Sequence, residues 1–205
     1  MLKRYSSALL SLIFLLVSGC APAIKNLDSE GKKIICFGDS LTYGTGAPDG
    51  EGYPFELARL LNKDVINAGV PGDKTETALS RLQSDVLEND PYIVIVELGG
   101  NDFLEKVPKE RTLRNLEEMI ADIQAAGAIV ALCDLSSGIV LAGYQGDYGQ
   151  IARKTGSVFI PRLMEGILTN ESLKSDYIHP NAEGYKIMAK RIYEAIKPYV
   201  DNMEI

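Results

Sequence analysis

Five short apolar runs recur along the chain, and each is followed by a longer segment with helical spacing. The runs are almost continuous in apolar residues, as in YIVIVEL at 92–98, rather than alternating with polar ones. Continuous apolar runs of this length are typical of parallel strands that are covered on both faces. We therefore predict five strands, at 33–37, 64–67, 92–98, 129–134 and 157–160.

The segments between these runs have the spacing of amphipathic helices, at 54–61, 75–87, 112–126 and 148–155, with a last helix starting at Pro180. In segment 112–126, apolar side chains recur on one face and Gly127 follows as an end signal. Regular alternation of strands and helices predicts an α/β sandwich built on a parallel sheet. Ligands of such sheets bind beyond the carboxyl ends of the strands, which is where a functional site is expected.

The N-terminus has the pattern of an export signal. Lys3 and Arg4 precede an apolar run, 8–17, that is too short to cross a bilayer. The run leads into Val-Ser-Gly-Cys20, which resembles the bacterial lipobox, although an ordinary signal peptide with an incidental cysteine is the alternative. We predict a lipoprotein signal peptide at 1–19, a tether at 20–31 lipidated on Cys20, and one domain at 32–200. The protein would then be exported and held in the bacterial cell envelope by a lipid anchor.

Charge and cysteine content narrow the possible partners. The formal net charge of the 205 residues is −7, which argues against a nucleic-acid partner because such proteins present a basic face. Cys36 and Cys133 fall on the first and fourth predicted strands, which should not be neighbours. We expect two buried free thiols there rather than a disulfide, and a monomeric protein.

The first apolar run ends in Gly38-Asp39-Ser40, so a serine stands at the carboxyl end of a predicted core strand. Ser40 either caps the next helix or acts as a nucleophile, and a serine nucleophile needs a base to remove its proton. The chain has one histidine, His179, and Asp176 lies three residues before it. A short loop would let that carboxylate hold one ring nitrogen while the other faces Ser40. Taken alone, this pattern equally fits a helix cap beside a turn residue.

Two further loops offer donors for the oxyanion that forms during acyl transfer. The loop after the second run, NAGVPGDKT, contains Gly72, whose backbone N–H has no side chain in its way. The loop after the third run, LGGND, contains Asn101, whose side-chain amide is a donor. Each loop alone is an ordinary turn sequence. Their joint placement at the ends of consecutive predicted strands, with Ser40 before them and His179 after them, favours the functional interpretation.

The blocks FGDSLTYG, NAGVPGDKT, ELGGND and DYIHPNAEGY resemble, in order and spacing, the four blocks of the SGNH, or GDSL, hydrolases, over about 30–200. The resemblance implies a flavodoxin-like three-layer α/β/α fold with sheet order 2-1-3-4-5. It implies Ser40 as nucleophile, His179 as base and Asp176 as its partner. It also implies an oxyanion hole made by the backbone N–H of Ser40, Gly72 and Asn101.

Within that family the chain looks most similar to the arylesterase and acyl thioesterase/lysophospholipase branch. We therefore expect a serine esterase that cleaves small-molecule carboxylic esters or thioesters through an acyl-enzyme. An O-acetyl carbohydrate esterase is the alternative, and a non-catalytic lipoprotein that binds acyl groups or glycans is a third reading. The segment 135–150 departs from the family pattern, and we expect it to help shape the acyl pocket.

Other polar residues near the predicted site are expected to be structural. Asp134 is a rival for the third member of the triad, but its position at a strand end favours a structural role. Glu97 lies inside a core strand and is expected to be satisfied by backbone donors, since an unpartnered buried carboxylate is costly. We predict no cofactor and no metal site. The stretch GTGAPDG lacks the third glycine of a dinucleotide fingerprint, and one histidine without a Cys/His cluster does not suit zinc.

Overall fold

The computed structural model describes residues 23–136, 142–201 and 203. The predicted signal peptide and Cys20 lie outside the described residues, as does 137–141 within the segment expected to shape the acyl pocket. Within the described ranges, no helix is long and apolar enough to cross a bilayer.

Five parallel strands form one sheet in the order β2-β1-β3-β4-β5, which confirms the predicted α/β fold and strand order. The side chains of β3 are all buried and those of the edge strand β2 are half-buried, as expected for a sheet covered on both faces. The strands are β1 Lys33–Gly38, β2 Val65–Gly69, β3 Pro91–Glu97, β4 Ile129–Cys133 and β5 Val158–Ile160.

Seven α-helices of the described residues connect and cover the strands. They are α1 Ser40–Tyr43, α2 Tyr53–Leu61, α3 Thr75–Asp85, α4 Gly100–Leu104, α5 Lys109–Ala125, α6 Asp147–Thr155 and α7 Ala182–Val200. Helix α2 packs against α7, while α5 packs against both α3 and α6. The two groups cover opposite faces of the sheet, as right-handed crossovers in this strand order require. The result is a three-layer α/β/α sandwich.

The start of α7 differs from the prediction. The helix begins at Ala182 rather than at Pro180, because the side chain of Asn181 accepts the N–H of Gly184 and caps the first turn. Pro180 instead forms an isolated antiparallel bridge with Lys174, which closes the base of the preceding loop. The proline therefore serves the loop that carries His179 and not the helix.

Strands β1, β2 and β3 end at the same level, and this brings their loops together. Gly38 at the end of β1 pairs in register with Gly69 of β2 and with Glu97 of β3. The chain leaves β1 towards β2 on one side and later returns to β3 on the other side. The crevice between β1 and β3 is thus the switch point at which ligands bind in open α/β sheets.

Cys36 and Cys133 are buried free thiols, as predicted. They lie on β1 and β4, and β3 runs between these strands. Burial raises the pKa of both thiols well above the ordinary value, so they pack as small apolar side chains.

Residues 24–32 form a strap across the amino ends of the strands. The Lys25 N–H donates to the backbone carbonyl of Gly156 just before β5 (2.9 Å). The Lys32 N–H donates to the backbone carbonyl of Asp90 just before β3 (2.9 Å). Part of the stretch predicted as a tether is therefore attached to the domain. This N-terminal strap lies at the edge of the sheet opposite to Ser40.

The strap depends on Asn26, whose side-chain amide donates to the carbonyls of Gln124 and Ala128, each at 2.8 Å. Asn26 has a left-handed backbone with φ 58°, and so does Asn62 with φ 51° at the end of α2. Asn26→Ala should lower the free energy of unfolding by about 2 kcal/mol more than Asn62→Ala does, because only the first change removes two hydrogen bonds. Urea unfolding of both variants measures the difference, and equal losses would contradict a stabilising role of the strap.

Candidate active site

Ser40 is presented at the tip of β1 by a tight turn into α1. The Asp39 side chain caps this helix, since its Oδ1 accepts the N–H of Leu41 at 3.0 Å. The capping role that the sequence left open for Ser40 thus belongs to Asp39, and the Ser40 hydroxyl points elsewhere. It lies 3.0 Å from Nε2 of His179.

Ser40, His179 and Asp176 form one hydrogen-bonded chain. With Nδ1 protonated, the imidazole donates to Oδ2 of Asp176 (2.8 Å), and Nε2 is then free to accept the Ser40 hydroxyl proton. The other carboxylate oxygen of Asp176 accepts the backbone N–H groups of Ile178 (2.9 Å) and His179 (2.8 Å). The loop holds this geometry at its base, where the Ser175 N–H donates to the carbonyl of His179.

The hydrogen bond from the His179 side chain is the main cause that lowers the pKa of Asp176 to about 2. The carboxylate therefore stays ionised at any working pH and can stabilise an imidazolium. Asp134, the rival candidate, has a different role. Its Oδ1 accepts the N–H and the hydroxyl of Ser136 at the end of β4 (2.8 and 2.5 Å).

Gly72 lies in a four-residue turn, Val70-Pro71-Gly72-Asp73. The turn is closed by the Asp73 N–H, which donates to the carbonyl of Val70 (3.1 Å), and Gly72 has φ 84°. Proline second and a left-handed glycine third are the signature of a type II turn. The Gly72 N–H takes no part in the closing bond and remains a candidate oxyanion donor.

Asn101 lies in the first turn of α4, which follows β3. Its amide donates to the backbone carbonyl of Asp73 (2.9 Å) and to Oδ2 of Asp39 (3.1 Å). An amide group has two hydrogens, so a substrate oxyanion must share or displace one of these bonds. The longer bond, to Asp39, is the easier one to give up. Asn101 thereby joins the loop that carries Gly72 to the turn that carries Ser40.

Position 38, directly before the Ser40 turn, needs a glycine because α1 and β3 lie too close to it for a side chain. A Cβ at Gly38 would lie 2.1 Å from the Thr42 hydroxyl and 2.5 Å from the carbonyl of Glu97. The Thr42 hydroxyl donates to Oε2 of Glu97 (2.8 Å) and lies 2.8 Å from the Tyr53 hydroxyl. A side chain at Gly38 would push this network and the Ser40 turn apart.

Backbone groups of Asp39 and Thr42 favour the charged form of Glu97, as expected, but they are not enough to satisfy it. The carboxyl is fully buried, its Oε2 also accepts the Thr42 hydroxyl, and Oε1 is unpaired among the described residues. Burial, reinforced by the charge of Asp39, raises the pKa of Glu97 well above its ordinary value. Burial likewise raises the pKa of Asp39 to about 6. Of the two carboxyls, Glu97 is the more deeply buried and the one that favours its protonated form, while Asp39 accepts the bond from Asn101.

A cavity of about 110 Å³ opens directly beside the serine and the histidine. Its polar lining comes from Asp39, Ser40, Asn101 and His179. The rest of the wall is mainly apolar and comes from Leu41, Phe103, Leu104, Leu135, Met164, Leu168 and Ile178. Leu135 belongs to the segment that was expected to shape the acyl pocket, whereas the other wall residues were not predicted. The only available signal was the apolar Phe-Leu pair directly after GGND and the apolar residue before the histidine.

Comparison with known proteins places this arrangement in a family. The sequence model of the GDSL-like lipase/acylhydrolase family matches residues 36–187, which include every predicted site residue from Ser40 to His179. The chain belongs to this family. It is accordingly a serine hydrolase that acts on ester bonds, and the family resemblance of the four sequence blocks is confirmed.

Named relatives and a solved structure agree with this assignment. Esterase TesA of Pseudomonas aeruginosa is 26% identical over 196 residues, which cover 90% of this chain and 98% of the relative. Thioesterase 1/protease 1/lysophospholipase L1 of Escherichia coli K12 is 26% identical over 181 residues, 82% of this chain and 85% of the relative. The crystal structure of the psychrotrophic esterase EstA of Pseudoalteromonas sp., inhibited by monoethylphosphonate, has a TM-score of 0.73 and 26% identity, with 83% of this chain and all of that chain covered.

The buried acid gives a pH-dependent prediction. Folding raises the pKa of Glu97, so the native state keeps a proton that the unfolded chain releases above the ordinary value of 4.5. Wild-type stability should therefore fall as the pH rises beyond that value. Glu97→Gln copies the shape of the protonated acid and should match the wild type near pH 4 but exceed its stability increasingly towards pH 8. Thermal unfolding across this range measures the effect, and parallel profiles of the two proteins would show that Glu97 is not held protonated.

Proposed function

We propose that this protein is a lipid-anchored esterase that cleaves medium-length acyl esters and thioesters through an acyl-enzyme on Ser40. The observation that carries the proposal is the apolar cavity that begins at Ser40 and His179. A cavity of about 150 Å³ lined by Leu, Ile and Phe holds a benzene molecule, so the cavity of about 110 Å³ beside Ser40 suits an acyl chain of several carbons. An acetyl group would leave most of this apolar wall unfilled.

The geometry supports the following acylation step. Nε2 of His179 takes the hydroxyl proton as Ser40 Oγ bonds to the substrate carbonyl carbon, and the carbonyl oxygen becomes an oxyanion. The N–H groups of Ser40 and Gly72 and the amide of Asn101 stabilise that charge. The ester C–O or thioester C–S bond then breaks, and the leaving oxygen or sulfur takes the proton from His179. Ionised Asp176 stabilises the imidazolium between these two transfers.

Deacylation repeats the same steps with water as nucleophile. His179 takes a proton from water, the resulting hydroxide attacks the acyl-enzyme carbonyl, and the same donors hold the second oxyanion. The bond to Ser40 then breaks and Ser40 regains its proton from His179. A carboxylic acid is released and the enzyme returns to its starting state.

The acyl preference is tested with p-nitrophenyl esters from acetyl to palmitoyl, with Ser40→Ala as the blank. Each buried CH₂ contributes about 0.8 kcal/mol, so kcat/KM should rise about fourfold per carbon until the cavity is full and should peak at a medium-length chain. Leu168→Trp narrows the cavity and should move the peak to shorter chains, whereas Leu60→Trp at an exposed position of α2 should not. A peak at acetyl would favour the O-acetyl carbohydrate esterase, and no rate above the blank would favour a binding protein.

The lipid anchor is supported by the sequence alone, through the basic residues, the short apolar run and the small residues that precede Cys20. Cells that express the full chain and are fed an alkyne-tagged palmitate should yield a labelled mature protein whose first residue is Cys20. Cys20→Ser should abolish the label. An unlabelled mature chain that starts at any other residue would contradict lipidation and leave an ordinary export signal.

A further inference from the structure

Arg81, which is not one of the predicted catalytic residues, contacts three of the segments that form the site. The guanidinium of Arg81, on α3, is largely buried, with 16% of the side chain exposed. Its Nη2 donates to the carbonyl of Gly38 at the end of β1 (3.0 Å), and its Nη1 donates to the carbonyl of Ala68 in β2 (3.0 Å). The group also stacks on the ring of Phe37, 4.3 Å from its centroid. Arg81 therefore connects the carboxyl ends of β1 and β2.

The same guanidinium holds the turn that contains Gly72. Nε of Arg81 donates to Oδ2 of Asp73 (2.6 Å), and only 9% of the Asp73 side chain is exposed. Asp73 closes the turn around Gly72 through its N–H and accepts the Asn101 amide through its carbonyl. A displacement of Asp73 would thus move both loop donors of the oxyanion site together.

We propose that Arg81 is a positioning residue for ester hydrolysis, which sets the places of Gly72 and Asn101 relative to Ser40 through Asp73 and Gly38. The proposal rests on the esterase function proposed above. The planar fork of arginine can satisfy Gly38, Ala68 and Asp73 at once, because its N–H groups point in fixed, separate directions. A lysine would keep the charge but not this set of bonds.

The test compares Arg81→Lys with Asp85→Asn. Asp85 is the remaining partner of the guanidinium (2.8 Å from Nη1) and lies on the helix, away from the loops. Arg81→Lys should lower kcat about tenfold with little change in KM, since small misplacements of reacting groups reduce the rate of the chemical step. The affinity for a trifluoromethyl ketone, which forms an oxyanion when Ser40 adds to it, should fall by the same factor. Asp85→Asn should keep kcat and inhibitor affinity within about twofold of the wild type, since it leaves the contacts of Arg81 with Gly38, Ala68 and Asp73 in place.

Asp73→Asn weakens the bond between Arg81 and Asp73 by removing the charge of the acceptor. It tests the positioning role if Arg81→Lys does not fold. Its effect on kcat should not add to that of Arg81→Lys, because the two residues act through one bond. Asn101→Ala shows the size of a complete loss of one donor, about 10²–10³ in kcat.

The outcomes separate the two proposals. An inactive wild type would overturn the esterase function itself. An active wild type with normal kcat and inhibitor affinity in Arg81→Lys would overturn only the positioning role. A change in the unfolding free energy without a change in kcat would show that Arg81 stabilises the fold and does no more.

Discussion

The alignment of three strand ends is the constraint on which this site depends. Gly38, Gly69 and Glu97 end β1, β2 and β3 at one level of a parallel sheet. Each loop that leaves this edge carries one part of the chemistry, and the chain returns with His179 only after the sheet is complete. None of these parts is adjacent in sequence. Backbone pairing in the sheet therefore sets the distances within the site before any side chain contributes.

Side-chain hydrogen bonds then refine that placement. Asp39 caps α1 and accepts the amide of Asn101, so one carboxylate orients both the nucleophile turn and an oxyanion donor. Behind it, Glu97 is buried without a full set of partners. A buried acid costs folding free energy unless it is neutral, and its proton keeps a second negative charge away from Asp39. The site thus contains a polar cluster that the fold tolerates because one member is uncharged.

The strands could be predicted because each has a local signal, whereas their order came from the family resemblance. The residues predicted for the triad are brought within hydrogen-bond distance of one another. Strands β1 and β3 are continuous apolar runs. Ser40, Gly72 and Asn101 stand in recognisable blocks after strand ends, and His179 stands in the block before the last helix. The start of α7 was missed because proline is favoured both at a first helical position and in a loop, and only the Asn181 cap decides between them.

Long-range contacts left no such signal. The partner of Glu97 is a threonine on a different element, and Arg81 contacts carbonyls on two strands, so neither could be inferred from spacing. The apolar wall of the cavity comes from four separate loops and helices for the same reason. The strap was predicted as part of a tether because its polar composition hides the two bonds that Asn26 makes.

If Cys20 carries the proposed lipid, the position of the strap has a consequence for the direction in which the active site faces. It leaves the domain at Ala23, at the amino ends of the strands, and three residues of chain reach at most about 11 Å back to Cys20. The carboxyl ends of the strands, where Ser40 lies, are about 23 Å from the amino ends, since β3 has seven residues. With Cys20 lipidated, the bilayer would lie next to the amino ends of the strands, and the cavity beside Ser40 would open into the aqueous space on the far side. Substrates would then arrive as dissolved molecules or from a facing surface, and the lipids around the anchor would be out of reach.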